Sequence, residues 1–359
     1  MTGAPKGLVL AGGDGTRLRP LSFAMPKQLV PVANRPVLLH ALDDLRAAGV
    51  TDVGVVVGDR GAQIRAVVGD GAALGLRITY LVQDRPLGLA HCVRVAGDFL
   101  GADDFVMYLG DNVVRGGLAP LLADFAAGRP AAQVLLARVA DPRACGVADV
   151  ERSGRIRRVV EKPADPPSDL ALIGVYAFSA RIHEAVAAIR PSRRGELEIT
   201  DAIQWLIDHG APVGGSLFTG FWRDTGRVDD LLACNRELLA TTVHSVRGDV
   251  DGASSVRGPV RVEPGARVIC SQLVGPAVIG ADAVIENSYV GPYTAIGPGC
   301  VLAGAGVEDS VVMESTSVRG VHGVIHHSIL GRSVDITSSP PEPMRHRLVV
   351  PDQSRLEIG

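Results

Sequence analysis

From about residue 255, aliphatic side chains recur at steps of five or six: Val262, Val268, Val274, Ile279, Ile285, Val290, Ile296, Leu302, Val307, Val312, Val318, Val324 and Leu330. Small residues and turn formers fill the intervals, as in Val290-Gly-Pro-Tyr-Thr-Ala and Ile296-Gly-Pro-Gly-Cys-Val. One inward aliphatic per step of nearly six predicts a parallel β-helix, each repeat forming one face of a triangular coil. The competing fold is a sandwich of short strands. Its turn signals would come every 8–12 residues, and here they come twice as often. The coils are expected over about 255–335, within a domain of residues 241–359. The tail from Ser338 (Ser-Ser-Pro-Pro-Glu-Pro) is expected to leave the coil and to pack as an extended strap or be partly disordered.

Residues 1–240 have a different rhythm. Leu8 to Ala11, Val53 to Val57, Ile78 to Val82 and Phe105 to Leu109 read as buried strands, with helical patterns between them. One helix opens at Pro36, aligns Val37, Leu38, Ala41, Leu42 and Leu45 on one face, and closes at Gly49. Such alternation predicts an α/β domain with a mostly parallel, Rossmann-like sheet and ligands at the carboxyl ends of its strands. Ile156 to Glu161 and Leu172 to Phe178 follow one another with no helix between, so the sheet is expected to be mixed.

Composition limits the partners. A net charge of −3 over 359 residues gives no basic field for nucleic acid, so an anionic ligand must be held by a few placed cations and backbone amides. The five cysteines are scattered and never spaced as CxxC, which fits a reducing cytoplasm. No apolar stretch approaches the roughly 20 residues that span a bilayer, and the start MTGAPKG has no signal-peptide core. A cytoplasmic protein is expected.

The strongest local motif is Leu10-Ala-Gly-Gly-Asp-Gly-Thr-Arg-Leu-Arg-Pro-Leu21. A glycine-rich turn directly after a first strand lets backbone amides approach phosphate oxygens. It is neither G-x-G-x-x-G nor a Walker A loop. Arg17 lies inside it and Lys27 follows shortly after. Asp111 and Asp224 each follow an apolar run, where such sheets place catalytic groups, although Asp at these points also serves as a cap.

GGDGTRLRPL followed by PKQLVPVANRPVL resembles the sugar-phosphate nucleotidyltransferases, most closely the glucose-1-phosphate thymidylyltransferase branch. The resemblance continues through Gln83-Asp-Arg-Pro-Leu-Gly-Leu-Ala, Leu109-Gly-Asp-Asn, Glu161-Lys-Pro, Gly174-Val-Tyr, Arg194-Gly-Glu-Leu-Glu-Ile-Thr-Asp201 and Trp222-Arg-Asp-Thr-Gly226. It covers the whole first domain, and the repeat resembles the left-handed β-helix of that family's long branch. The resemblance implies transfer of a thymidylyl group from dTTP to glucose 1-phosphate with Mg²⁺ as cofactor. Ala11, Gly12, Gly13, Gly15, Thr16, Gln83 and Gly88 would bind the nucleotide, with Arg17 and Lys27 on its phosphates. Glu161, Lys162, Gly146, Leu172, Tyr176 and Arg194 would bind the sugar phosphate, and Asp111 and Asp224 the metal. Arg194 could contact phosphate or clamp the acidic cluster Glu196, Glu198 and Asp201. Leu87, His91, Ile173 and Arg223 depart from the commoner pattern.

UTP or another sugar 1-phosphate is the nearest alternative. An acyltransferase built on the β-helix would need a catalytic histidine from His322, His326 or His327, but no long loop interrupts the repeats. A non-catalytic regulatory subunit would have lost one of Arg17, Lys27, Asp111, Lys162 or Asp224, and all are present. The flat coil faces suggest a homo-oligomer.

Overall fold

The computed structural model describes residues 4–13, 15–338 and 348–358. They divide into two compact units, Met1–Gly13 with Leu38–Trp222 and Asp14–Val37 with Arg223–Gly359. The short segment Asp14–Val37 thus groups with the C-terminal residues, an exchange that no composition shift announces.

Among the described residues the main sheet of the first unit has nine strands: β1 (Lys6–Leu10), β2 (Asp52–Val57), β3 (Arg77–Val82), β4 (Phe105–Leu109), β5 (Ala132–Arg138), β6 (Gly146–Val150), β7 (Ile156–Glu161), β8 (Leu170–Phe178) and β9 (Val213–Leu217). The path runs β7-β6-β8-β4-β1-β2-β3, and β5 joins β8 to β9. Strands β1 to β4 are parallel, while β8 is antiparallel to β4, β5 and β6. The sheet is mixed, as expected; the sequence reading did not mark β5, β6 and β9. Leu8 and Val9 of β1 have no exposed surface, because a central parallel strand is covered on both faces. The helix Val37–Ala47 buries the expected face: Val37, Leu38, Ala41, Leu42 and Leu45 are all fully covered. From β1 the chain goes to β2 on one side and later to β4 on the other, so the strand order switches between β1 and β4. Their carboxyl ends are tied where the Gly110 N–H donates to the Leu10 carbonyl at 2.9 Å. Ligand crevices form at such switch points.

The second unit carries a left-handed β-helix whose three faces are parallel sheets of seven, seven and five short strands. Successive coils pair in register, as in Val260↔Ala277↔Thr294 and Val262↔Ile279↔Ile296. The inward residues match the predicted series except at two positions. Leu273 and Ile325 point inward in place of Val274 and Val324, on the ladder Val256↔Leu273↔Val290↔Val307↔Ile325. Strand side chains alternate faces, so a choice wrong by one residue turns the side chain outward. Paired valines and isoleucines left that choice open to composition.

The coil also extends beyond both predicted ends. It begins at Ser245–Val246, and Val349–Val350 and Arg355–Ile358 pair with Ile329–Leu330 and Asp335–Ser338. The expectation that the chain after Ser338 cannot continue the coil therefore fails for residues 349–358. Prolines deny ladder donors, but the strand-forming residues beyond them rejoin the stack. The Pro-rich segment 339–347 lies outside the described residues. Buried corners are satisfied by a hydroxyl ladder: Ser271 Oγ accepts from the Ser288 N–H at 3.0 Å, and Ser288 Oγ from the Ala305 N–H at 3.2 Å.

Candidate active site

The expected site residues are distributed over both units. In the first unit, Gly12, Gln83 and Asp111 follow the carboxyl ends of β1, β3 and β4. Ala11 is anchored by its N–H to the Val56 carbonyl at 2.8 Å, and Gln83 by its N–H to the Val57 carbonyl at 2.9 Å. A Cβ added at Gly12 would sit 3.4 Å from Gln83 Oε1, so the loop backbone and the Gln83 amide are close neighbours. Gln83 is 7% exposed. Its Nε2 donates to the Gly88 carbonyl at 3.3 Å and lies 3.0 Å from His91 Nδ1. Gly88 has φ +102, and a Cβ there would fall 2.5 Å from the Leu197 carbonyl oxygen. A side chain is excluded on both counts.

Asp111 is held by a neighbour that sequence reading missed. Asn112 Nδ2 donates to Asp111 Oδ1 at 2.9 Å, and Asn112 Oδ1 accepts from Trp222 Nε1 at 2.6 Å. The indole can only donate, so it determines which way the Asn112 amide faces and presents the NH₂ to the carboxylate. Leu109-Gly-Asp-Asn and Trp222 were both among the matched segments, but nothing in their spacing linked them.

The residues assigned to the sugar phosphate gather across β6 and β7. Gly146 is the cross-strand partner of Glu161, whose Oε2 accepts from Thr200 Oγ1 at 3.0 Å. A Cβ at Gly146 would meet Thr200 Cγ2 at 2.7 Å and Glu161 Oε2 at 3.3 Å, so only glycine leaves the carboxylate room. Lys162 Nζ is 3.4 Å from Glu161 Oε1. Arg194 lies against the acidic side chains: Nη1 is 3.4 Å from both Glu161 Oε1 and Glu198 Oε1, and Nη2 is 2.9 Å from Glu196 Oε1. Burial, with the Glu161 charge behind it, raises the carboxyls of Glu198 and Asp201 above the ordinary range. Leu172 and Tyr176 are buried in the main core, where Tyr176 stacks on Phe178 at 5.7 Å. Leu172 borders the Gly146 position.

In the second unit, Thr16 and Arg17 occupy a turn of 3-10 helix, and Arg17 Nη2 is 3.1 Å from Asp224 Oδ2. A Cβ at Gly226 would crowd Arg17 Nη2 at 2.7 Å. A Cβ at Gly15 would meet the Cβ of Lys27 at 3.0 Å, and the Gly15 carbonyl accepts from Ser22 Oγ at 2.7 Å. Lys27 begins the turn Lys27–Leu29, which leads into the hairpin Pro31–Val32/Arg35–Pro36. That hairpin is fastened to the coil. Asn34 Nδ2 donates to the Ile296 carbonyl at 2.6 Å, and the Ala33 N–H donates to Asn235 Oδ1 at 2.8 Å. Asn235 Nδ2 donates in turn to the Tyr293 carbonyl at 2.8 Å. Asn34 and Thr200 lie inside matched segments but were given no role, and Asn235 lies in none, because the residue type alone does not say which distant group an asparagine or threonine will meet.

The coil histidines are engaged in structure. His327 Nδ1 is 2.8 Å from Asp309 Oδ2, which also pairs with Arg236, and its Nε2 is 3.4 Å from Asp229 Oδ1. His326 faces Glu308 at 3.8 Å. Cys92, Cys234 and Cys300 are buried thiols pushed up to about 12, unsuited to nucleophilic use. Among the described residues, no group of three or more His, Cys, Asp or Glu side chains forms a metal cage, and no helix is long and apolar enough to cross a membrane.

The Nucleotidyl transferase family matches residues 6–241. A glucose-1-phosphate thymidylyltransferase of Streptomyces griseus is 53% identical over 99% of both chains. A low-salt glycan biosynthesis nucleotidyltransferase of Haloferax volcanii is 43% identical over 98% of this chain and 100% of its own. A Bacillus anthracis chain solved with a sucrose superposes with a TM-score of 0.61 at 34% identity, over 65% of this chain and 94% of that one. By the match over residues 6–241 and the identity along the full length of its relatives, the chain belongs to the nucleotidyl transferase family.

Proposed function

We propose that the protein transfers a deoxythymidylyl group from dTTP to glucose 1-phosphate, giving dTDP-glucose and pyrophosphate. The observation that carries this reading is the 53% identity to the Streptomyces griseus thymidylyltransferase across 99% of both chains. The sugar phosphate oxygen attacks the α-phosphorus in line, and pyrophosphate leaves from the opposite side. The attacking oxygen is ionised at neutral pH, so no side chain has to remove a proton, and no covalent intermediate is needed. Arg17 and Lys27 are assigned to the leaving phosphates, and Lys162 to the phosphate of the sugar. Glu161 takes sugar hydroxyls and is held for that task by Thr200 and Arg194.

Mg²⁺, when bound, would neutralise phosphate charge. Asp111 and Asp224 would hold it, since one or two carboxylates with phosphate oxygens are the donor set this ion prefers. Asn112 keeps the Asp111 carboxylate oriented. A cytoplasmic homo-oligomer is the state in which we expect this chemistry to run.

Pyrophosphate release across a matrix of nucleoside triphosphates and sugar 1-phosphates tests the reading. Turnover should be highest with dTTP and glucose 1-phosphate. Greatest activity with a purine triphosphate would overturn the base assignment.

A further inference from the structure

We propose that His91 is a positioning residue that sets the orientation of the Gln83 amide, and that base selection at Gln83 consequently follows the protonation of its imidazole. The inference rests on the reading of Gln83 as the residue that meets the base.

An amide offers two N–H donors on one atom and an acceptor on the other. The Gly88 carbonyl, 3.3 Å from Gln83 Nε2, can only accept, so the NH₂ group must face it. The second N–H of the same nitrogen is directed at His91 Nδ1, 3.0 Å away. That contact requires a lone pair on Nδ1, hence a neutral imidazole with its proton on Nε2. Both N–H groups are then used within the protein. Oε1 is what remains, on the side of the Gly12 backbone.

An acceptor at that point takes the N3–H of an imide, which thymine and uracil carry. Cytosine presents a lone pair at N3, and two acceptors would oppose one another. Protonating His91 reverses the local logic. Nδ1–H then faces the amide N–H, two donors in contact, and the pair is relieved when the amide turns Oε1 toward the imidazolium, where a charge-assisted bond replaces the longer 3.3 Å bond to the Gly88 carbonyl. The NH₂ would now face the base, opposing an imide and suiting cytosine.

The surroundings favour the neutral form near pH 7. Burial and the Arg94 charge on the same helix, Leu89–Val95, lower the proton affinity of His91, and only Asp84 acts in the other direction. The adjoining Cys92 thiol is neutral.

The test compares KM and kcat for dTTP and CTP in the wild type, His91→Leu, His91→Asn and Gln83→Leu, with thermal melting to confirm folding. In the wild type, KM for dTTP should rise about tenfold as pH falls through and below the ordinary histidine range, because its surroundings hold the proton affinity of His91 below that range. His91→Leu should raise KM for dTTP about three- to tenfold near pH 7.5 with kcat within about twofold, and should erode discrimination against CTP by about tenfold. His91→Asn places Oδ1 where Nδ1 stood. It should restore KM and selectivity while losing the extra pH dependence. Titration of the nucleotide phosphates is common to all variants and cancels in the ratio. A His91→Leu enzyme with wild-type KM, selectivity and pH profile overturns the inference. If Gln83→Leu itself leaves dTTP affinity and base selection unmoved, the reading of Gln83 falls instead, which keeps the two failures distinct.

Discussion

The coil and the sheet place side chains by opposite means. In the coil, residues that stack in space repeat in kind: Val262, Ile279 and Ile296 form one inward ladder, and Val268, Ile285 and Leu302 another. In the sheet, Gly12, Gln83 and Asp111 come from strands distant in sequence, and no two are alike. Repetition makes a stiff core and leaves little room for unique chemistry. The coil's exceptions are therefore informative. Tyr293, Asp309 and His327 break the small-residue pattern at corners, all with positive φ. The Tyr293 carbonyl takes the Asn235 amide, and the Asp309 and His327 side chains hold Arg236 and Asp229 of the helix Val228–Ala240. Where the repeat is least regular, the coil carries something besides itself.

The largest expected break is chemical and lies in the sheet. Asp111→Asn should lower kcat by about 10³-fold or more, the scale of losing a charge-stabilising group at a phosphoryl centre. Its melting temperature should stay within a few degrees, because Asn112 and Trp222 continue to pair. Near-wild-type turnover would remove Asp111 from the metal site.

The corresponding break in the coil is a cavity. Ile296 has no exposed surface and sits mid-stack. Ile296→Ala should cost about 2–5 kcal/mol of stability, read by chemical denaturation. A cost below about 1 kcal/mol would mean the coils collapse around the void and are not stiff.

Asn235→Ala joins the two kinds of effect. It leaves the half-buried Ala33 N–H and the Tyr293 carbonyl without their side-chain partner, at about 1 kcal/mol for each hydrogen bond lost. Because the hairpin follows directly from the Lys27 turn, kcat should fall about tenfold as well. Asn235→Asp retains the acceptor for Ala33 and should recover most of the activity. A stability loss with unchanged kcat would show that the coil anchors the hairpin without helping to place Lys27.

The same contrast explains what was legible beforehand. A repeat announces its architecture, so the β-helix could be read from aliphatic spacing, although Leu273 and Ile325 required the ladders to settle which neighbour points inward. The loop motif announced its cations, Arg17 and Lys27. What could not be read were single contacts between distant segments, such as Trp222 to Asn112, Thr200 to Glu161 and Asn34 to Ile296. Each is one hydrogen bond between segments far apart in sequence that no spacing rule pairs, and only the fold supplies the partner.

The smallest effect concerns a carboxylate that the chemistry does not use. Asp44 accepts from the Tyr108 hydroxyl at 3.0 Å. Burial raises its pKa from the ordinary 3.8 to about 6, against the weaker pull of the Tyr108 bond and Arg115. Below about pH 4 both folded and unfolded chains hold this proton. Between about pH 4 and about pH 6 the unfolded chain releases it while the folded chain keeps it, so stability falls as pH rises through that window. Above it the folded protein carries a constant penalty, up to about 2 kcal/mol for a carboxylate that solvent still partly screens. Asp44→Asn copies the protonated form and can still accept from Tyr108. It should raise the melting temperature by several degrees at pH 7.5 and by almost nothing at pH 4, where the wild type is already protonated. An equal gain at both pH values would point to packing, and a loss at pH 7.5 would mean the Asp44 carboxylate is stabilised as an anion.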